Sequence, residues 1–176
     1  MKTLVLFMVF TITVFAGNLE IQGGHVKAHA SMSMDDDINI YHRDIQADIS
    51  MKQNDPLTLK GRFSTKMNLF ASSNKSRDEN MKEVIEPGKF PWAAYDIECV
   101  EKVDENGNYL LHGKLSFHGV KRDFTMMAQI QNDTDSLSIK AHSDFLMSDF
   151  EVEAPCLLFL CVEDKLEIST EVTLQK

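Results

Sequence analysis

The chain has 176 residues, of which 43% are hydrophobic and 26% are charged, which is enough apolar material for one ordinary folded domain. This composition excludes a disordered acidic tail, and the 3 cysteines and 8 glycines exclude a disulfide-stapled miniprotein and a collagen-like chain. The formal charge of −9 leaves no basic stripe to neutralise phosphates. It therefore argues against a nucleic-acid partner, and against an anionic membrane surface unless an apolar element inserts.

The first 17 residues have the layout of a secretory signal peptide. Lys2 precedes an apolar run over residues 4–15, and Ala16 and Gly17 are small residues at which a signal peptidase can cut. We therefore expect residues 1–17 to be a signal peptide and residues 18–176 to be the mature domain of a periplasmic or secreted protein. The alternative is an uncleaved membrane anchor, for which this stretch is short, because a spanning helix needs about 20 apolar residues.

The body of the chain alternates between apolar and polar side chains with a period of two. In residues 166–175, for example, Ile168, Val172 and Leu174 fall on one side of an extended chain and polar side chains on the other. Such alternation is typical of antiparallel strands with one wet face. Turn-forming clusters separate these segments at regular spacing. The sequence therefore predicts an all-β sandwich or barrel, and about eight strands favour a small antiparallel barrel.

One segment breaks this alternation and predicts a single short helix. Residues 76–79, Ser-Arg-Asp-Glu, read as a capping box in which the serine is the N-cap and the glutamate reaches back. Met81, Val84 and Ile85 then recur at helical spacing, until the Pro-Gly pair at 87–88 ends the run. We expect this helix to lie over one end of the barrel.

The residues contain no motif for catalysis: no Gly-x-Ser-x-Gly, no phosphate loop and no dinucleotide fingerprint. His25 and His29 lie in a strand-like segment, and His112 and His142 fall on polar strand faces. The Asp35–Asp37 run lacks the distal ligands of a calcium loop and predicts a solvated turn. We expect a protein that is not an enzyme and has no cofactor. The alternative left open is a secreted metal-dependent or stress-related enzyme that uses surface histidines.

The three cysteines differ in their surroundings. Cys99 falls on an apolar strand face and is predicted to be a buried thiol. Cys156 and Cys161 flank an apolar run over residues 157–160. Whether they form a disulfide is left open, because their spacing puts them on opposite faces of a regular strand unless the chain bends. The run itself predicts either a core strand or an apolar lid at a cavity mouth.

Residues 73–81, 88–93 and 113–122 are three blocks that, in this order, resemble the YceI-like family of secreted lipid-binding proteins. Residues 73–81 are similar to that family's Ser/Thr-rich strand end followed by Arg-Asp and a short helix, and residues 88–93 resemble its Lys-Phe-Pro turn. Residues 113–122 match its Gly-x-Leu-x-x-His-Gly-Val signature, and residues 143–150 resemble its late strand and turn. One departure lies at residues 83–85, where Glu-Val-Ile replaces the family's paired phenylalanines.

The resemblance implies an extended lipocalin-like antiparallel barrel whose apolar interior binds a long isoprenoid chain, such as a polyprenyl lipid or a quinone tail. It brings no catalytic residues. His118 is then a turn residue, whose ring we expect to form a hydrogen bond locally beside Gly119, a residue that tolerates unusual backbone angles.

The inward-facing apolar side chains would form the binding tunnel, where each buried CH₂ contributes about 0.8 kcal/mol, so that a long tail needs no polar anchor. The predicted ligand-binding residues are Phe63, Met67, Leu69, Tyr95, Ile97, Leu115, Phe117, Met126, Ile130, Ile139, Phe145, Ile168 and Val172. A transient membrane contact and a homodimer are left open. A third hypothesis is a scaffold barrel with a fully packed interior, so the decisive question is whether the barrel is hollow.

Overall fold

The computed structural model describes residues 16–32, 37–157 and 160–176. Residues 1–15 of the predicted signal peptide lie outside the described residues, as do Asp35 and Asp36 of the predicted turn. No helix in the described ranges is long and apolar enough to cross a membrane.

The described residues form strands joined by one helix and short turns. The strands are β1 (Ala16–Ser31), β2 (Asp37–His42), β3 (Ile45–Lys52), β4 (Asp55–Lys66), β5 (Trp92–Lys102), β6 (Asn108–Phe117), β7 (Val120–Asn132), β8 (Ser136–Leu146), β9 (Cys156–Leu157), β10 (Leu160–Cys161) and β11 (Lys165–Gln175). Helix α1 (Lys75–Ile85) connects β4 to β5, and 3₁₀ turns follow β4 (Met67–Leu69) and β8 (Met147–Phe150).

Eight of these strands close into an antiparallel barrel. Their order is β1, β3, β4, β5, β6, β7, β8 and β11, and β11 pairs with β1 to complete the ring. Strand β2 pairs with β1, and β9 and β10 form a separate two-stranded hairpin. Closure gives each of the eight barrel strands a partner on both sides. The predicted all-β barrel with one short helix is confirmed.

Alternation places the apolar side chains inside the barrel, except where the strand register shifts. In β5, Tyr95, Ile97 and Val100 are buried, but the pairing with β6 shifts between Ile97 and Cys99. This bulge puts one extra residue into β5 and turns Cys99 outward. The prediction of a buried thiol is therefore wrong, because Cys99 is exposed.

Helix α1 begins two residues earlier than the capping box predicted. Asn74 is the N-cap, and its side chain accepts a hydrogen bond from the Arg77 backbone N–H at 3.2 Å. The predicted Ser76 cap is wrong, since Ser76 lies in the first turn. The Asp78 carboxylate accepts two hydrogen bonds from Ser72, one from the backbone N–H and one from the hydroxyl, both at 2.7 Å. These bonds lower the pKa of Asp78.

The end of the barrel opposite α1 is filled by side chains. This end carries the β3–β4 and β5–β6 turns, whereas α1 joins the other ends of β4 and β5. The side chains that fill it are between 0% and 6% exposed and belong to one connected apolar cluster: Leu19, Ile49, Met51, Leu59, Ile97, Val100, Ile130, Leu137 and Leu174. We call this group the packed half.

Candidate functional site

A cavity of about 720 Å³ occupies the half of the barrel nearest α1. All eight barrel strands contribute side chains to its wall, and Met81, Val84 and Ile85 of α1 close over it. Small-molecule sites in proteins typically measure about 300–1,000 Å³ and have mostly apolar walls. The barrel is therefore hollow in this half, and a fully packed interior is excluded.

Most of the residues predicted to bind ligand line this cavity. They are Phe63, Met67, Tyr95, Leu115, Phe117, Met126, Ile139, Phe145, Ile168 and Val172. Their role in binding stays a prediction, but the fold places all of them around the same cavity.

Three of the predicted residues do not line the cavity. Ile97 and Ile130 are 3% and 5% exposed and belong to the packed half, because they lie further along their strands from α1. Leu69 is 39% exposed. Strand β4 ends at Lys66, and the 3₁₀ turn that follows breaks the period of two, so Met67 stays buried while Leu69 faces outward.

The wall residues that were missed as ligand contacts include two groups. One group comes from β1 and β2, whose alternation is weaker in the sequence: Val26, Ala28, Ala30, Ile38 and Ile40. The other is the apolar face of α1. The alanines are informative, because a small side chain at an inward position leaves space that a larger one would fill. Ala141 of β8 acts in the same way and is 4% exposed.

Aromatic rings form a rigid section of the wall near α1. The ring centroids of Phe117 and Phe145 are 5.5 Å apart, and both contact Phe150, at 5.7 and 4.9 Å. All three pairs meet edge to face, the arrangement that aromatic quadrupoles favour. Packing of this kind keeps the rings from collapsing into the hollow.

Tyr95 presents its ring to the cavity while its hydroxyl is satisfied elsewhere. The hydroxyl donates a hydrogen bond to the Leu111 carbonyl oxygen at 2.6 Å. Burial, with a smaller contribution from the Glu98 carboxylate, raises the pKa of Tyr95. Tyr95 is therefore neutral at physiological pH and adds apolar surface to the wall.

The cavity opens to solvent beside α1. Asn74, Asn80 and Glu83 line it and are exposed, and so are Pro155 and Cys156 at the edge of the β9–β10 hairpin. Polar side chains therefore rim the opening while apolar ones form the bore. An amphiphile, which has a polar head group and an apolar tail, fits a cavity with a polar opening and an apolar interior.

Cys156 and Cys161 form a disulfide at this edge, with their Cα atoms 4.1 Å apart. The two residues pair directly across the β9–β10 hairpin, which supplies the bend that their spacing requires. The side chains of residues 157–160, for which a core strand and a lid were both considered, lie outside the described residues.

The chain matches the family model of the YceI-like domain over residues 15–174. It belongs to the YceI-like family. No curated protein is similar to it by sequence. Among solved structures, BcnA from Burkholderia cenocepacia has a TM-score of 0.74 at 13% identity, covering 85% of this chain and 95% of BcnA.

Two further structures have the same fold. One is described as a polyisoprenoid binding domain from Saccharophagus degradans implicated in plant cell wall breakdown, with a TM-score of 0.68, 10% identity, and coverage of 90% of this chain and 97% of that one. The other is the Campylobacter jejuni YCEI protein, with a TM-score of 0.63, 19% identity, and coverage of 100% and 99%.

In this YceI-like chain, His118 and Gly119 of the signature form the two-residue turn between β6 and β7, with positive φ angles of 49° and 80°. The expected local hydrogen bond of the His118 ring is wrong. Its Nδ1 lies 3.3 Å from the Phe150 carbonyl oxygen, and its ring contacts Phe90 with centroids 4.2 Å apart. The His118 ring therefore connects the β6–β7 turn to Phe90, which precedes β5, and to Phe150, which ends the 3₁₀ turn after β8.

The histidines on the strand faces make surface contacts. His112 lies 3.1 Å from the Thr125 hydroxyl and 3.2 Å from a Glu101 carboxylate oxygen. Within the described ranges, no group of three or more His, Cys, Asp or Glu side chains could hold a metal ion.

Proposed function

We propose that this YceI-like protein binds an amphiphilic isoprenoid, a polyprenyl lipid or a quinone tail, and carries or stores it without catalysing a reaction. The observation that carries this proposal is the cavity of about 720 Å³ with its apolar bore and polar rim. The fold shared with a polyisoprenoid binding domain supports the same class of ligand.

The charge distribution around the cavity sets the orientation of such a ligand. Among the described residues that line it, Arg77 and Glu83 are the charged ones, and both belong to α1. A polar head group therefore lies beside α1, where water and polar side chains solvate it, and the tail runs into the bore. Each CH₂ buried there contributes about 0.8 kcal/mol.

We also propose export of the protein, with residues 1–17 removed. Strand β1 begins at Ala16, and its first pairs are with β3, Ala16 with Lys52 and Gly17 with Met51. Cleavage after Ala16 or Gly17 would remove at most these two pairs and leave the rest of β1 in the barrel.

A transient membrane contact would follow from the proposed ligand, because a water-insoluble tail has to be loaded from a lipid phase.

Filling the cavity tests the proposed binding. Ala141 lines the wall and is 4% exposed, so Ala141→Phe places a ring inside the hollow. We expect the dissociation constant for a polyprenol, measured by native mass spectrometry or fluorescence competition, to rise at least about tenfold. The protein should stay folded, because the ring enters existing space.

The matched control is Gln131→Phe, which adds the same ring to an exposed position of the neighbouring strand β7. This variant should bind like the unmodified protein. If Ala141→Phe also binds with unchanged affinity, or if protein from its native host yields no extractable lipid and takes up no polyprenol, the proposed function is wrong.

A further inference from the structure

Helix α1 is attached to the barrel by its side chains. Among the described residues, the backbone hydrogen bonds of α1 stay within the segment 74–90, whereas each barrel strand forms backbone hydrogen bonds with both neighbouring strands. Met81, Val84 and Ile85 reach the cavity, and the helix ends at Ile85, directly before Glu86. An element held in this way opens at a lower free-energy cost than a barrel strand. A contact at either end of α1 therefore affects access to the cavity.

His118 makes a contact at the C-terminal end of α1. Its side chain is 9% exposed, and its Nε2 atom lies 3.6 Å from Oε2 of Glu86 and has no hydrogen-bond partner among the described residues. Its other ring nitrogen, Nδ1, lies 3.3 Å from the Phe150 carbonyl oxygen. The ring also packs on Phe90, in the loop that follows α1, with centroids 4.2 Å apart. The unsatisfied nitrogen is therefore the one that faces α1.

Both ring nitrogens of His118 face oxygen atoms that accept hydrogen bonds. A backbone carbonyl and an ionised carboxylate are acceptors only. A neutral imidazole carries one proton on its ring nitrogens, so it donates to one of these oxygens and turns a lone pair toward the other. The doubly protonated ring donates to both, and its positive charge then faces the Glu86 carboxylate. Protonation therefore completes the contact between the β6–β7 turn and α1.

Other charged groups around this contact come from three elements. Lys89, in the loop after α1, lies 3.7 Å from the same Glu86 oxygen, and its side chain is 67% exposed. Arg122 of β7 donates a hydrogen bond to the carbonyl oxygen of Asp149, in the 3₁₀ turn that Glu151 follows. Lysine, arginine and carboxylate side chains keep their charge between pH 5 and pH 8, whereas histidine changes its charge there. The imidazole is therefore the group at this contact that responds to pH in that range.

We infer that His118 positions α1 over the cavity through Glu86, and that the charge of its ring sets how firmly the helix is held. The protonated ring binds Glu86 and holds α1 closed. As the pH rises and the ring loses its proton, this contact weakens and α1 opens more often. The consequence for the ligand rests on the proposed function: a bound isoprenoid leaves the cavity more slowly in acid than at alkaline pH.

Hydrogen exchange of α1 tests the positioning without any ligand. We expect the protection factors of the amides in residues 79–86, corrected for the intrinsic pH dependence of exchange, to fall at least about fivefold from pH 5.5 to pH 8. Glu86→Gln removes the carboxylate and keeps the length of the side chain, so it should abolish this change. His118→Asn should abolish it too, and asparagine tolerates the positive φ of 49° at this position.

The matched control is Glu79→Gln, which removes the same charge from an exposed position of the same helix. This variant should keep the full pH dependence of the unmodified protein. The amides of β6 and β7 are the internal reference, because their protection should not follow that of α1.

A second measurement follows the release of a fluorescently labelled polyprenol. In the unmodified protein and in Glu79→Gln, we expect the dissociation rate to rise at least about fivefold from pH 5.5 to pH 8. In Glu86→Gln the rate should be the same at both pH values, because the carboxylate that faces the ring is gone.

The outcomes separate this inference from the proposed function. If the protection of α1 is the same at both pH values, or if Glu86→Gln keeps the full pH dependence, the positioning role of His118 is wrong and the lipid-binding function stands. If α1 responds as expected but the polyprenol leaves at one rate at both pH values, the role in retaining ligand is wrong. If α1 responds and no polyprenol binds at either pH, the proposed function is wrong and the positioning of α1 by His118 stands.

Discussion

At the scale of single residues, the best-defined polar contact is the carboxylate of Asp96 on the outer face of the barrel. Arg62 Nε lies 2.6 Å from Asp96 Oδ1 and its Nη2 2.9 Å from Oδ2, while Lys121 Nζ lies 2.7 Å from Oδ2. The Arg62 guanidinium, with a smaller contribution from Lys121, lowers the pKa of Asp96 to about 2. Asp96 therefore joins β4, β5 and the start of β7.

Asp96→Asn tests this contact through its dependence on pH. Because the folded pKa lies below the ordinary value of 3.8, the stabilisation is complete above about pH 4 and is lost as the pH falls toward 2. We expect the variant to lose about 1–2 kcal/mol of unfolding free energy at pH 7, since partly exposed cations screen the full effect. Urea titrations at pH 7 and pH 3 should show the difference shrinking in acid.

The control for this measurement is Asp123→Asn. Asp123 also pairs with a lysine, Lys114, but its side chain is 88% exposed. Little change in stability is expected at either pH, because water screens an ion pair of this kind. A loss of unfolding free energy as large as that of Asp96→Asn would show that the bidentate contact between Arg62 and Asp96 is not what stabilises the barrel.

At the scale of elements, the N-cap of α1 is Asn74, and not the Ser76 that the capping box predicted. Asn74→Ala should lower the unfolding free energy by about 1 kcal/mol, because it removes the bond to the Arg77 N–H. Ser76→Ala, which removes the cap that the capping box predicted, should be nearly neutral. Denaturant titrations of both variants check this. Equal losses would mean that Ser76 contributes to the cap after all.

The elements also show where alternation stops being informative. A period of two identified the barrel strands, but not the bulge beside Cys99, because a bulge is decided by how β5 pairs with β6 and not by β5 alone. The turn that exposes Leu69 has the same origin: the chain leaves β4 to reach α1. Both errors arise at places where a neighbouring element sets the direction of a side chain.

At the scale of the whole molecule, the sequence predicted a barrel but not which part of it is hollow. Ile97 and Ile139 have the same apolar alternation, yet one belongs to the packed half and the other lines the cavity. The difference lies in their neighbours. Ala141, the next inward residue of β8, leaves space beside Ile139, whereas Ile97 lies among the large buried side chains of the packed half. Such volumes depend on three-dimensional neighbours, which a linear pattern does not contain.

A barrel divided in this way should respond unequally to truncation along one strand. Leu174 and Ile168 both face inward on β11, but Leu174 is fully buried in the packed half and Ile168 lines the cavity. Leu174→Ala creates a new void and should cost about 3–5 kcal/mol of unfolding free energy. Ile168→Ala only widens an existing one, so it should lose mainly the transfer term of its side chain, about 2 kcal/mol or less. Urea titrations without added lipid compare the two, and equal losses would mean that the half beside α1 is packed as tightly as the other.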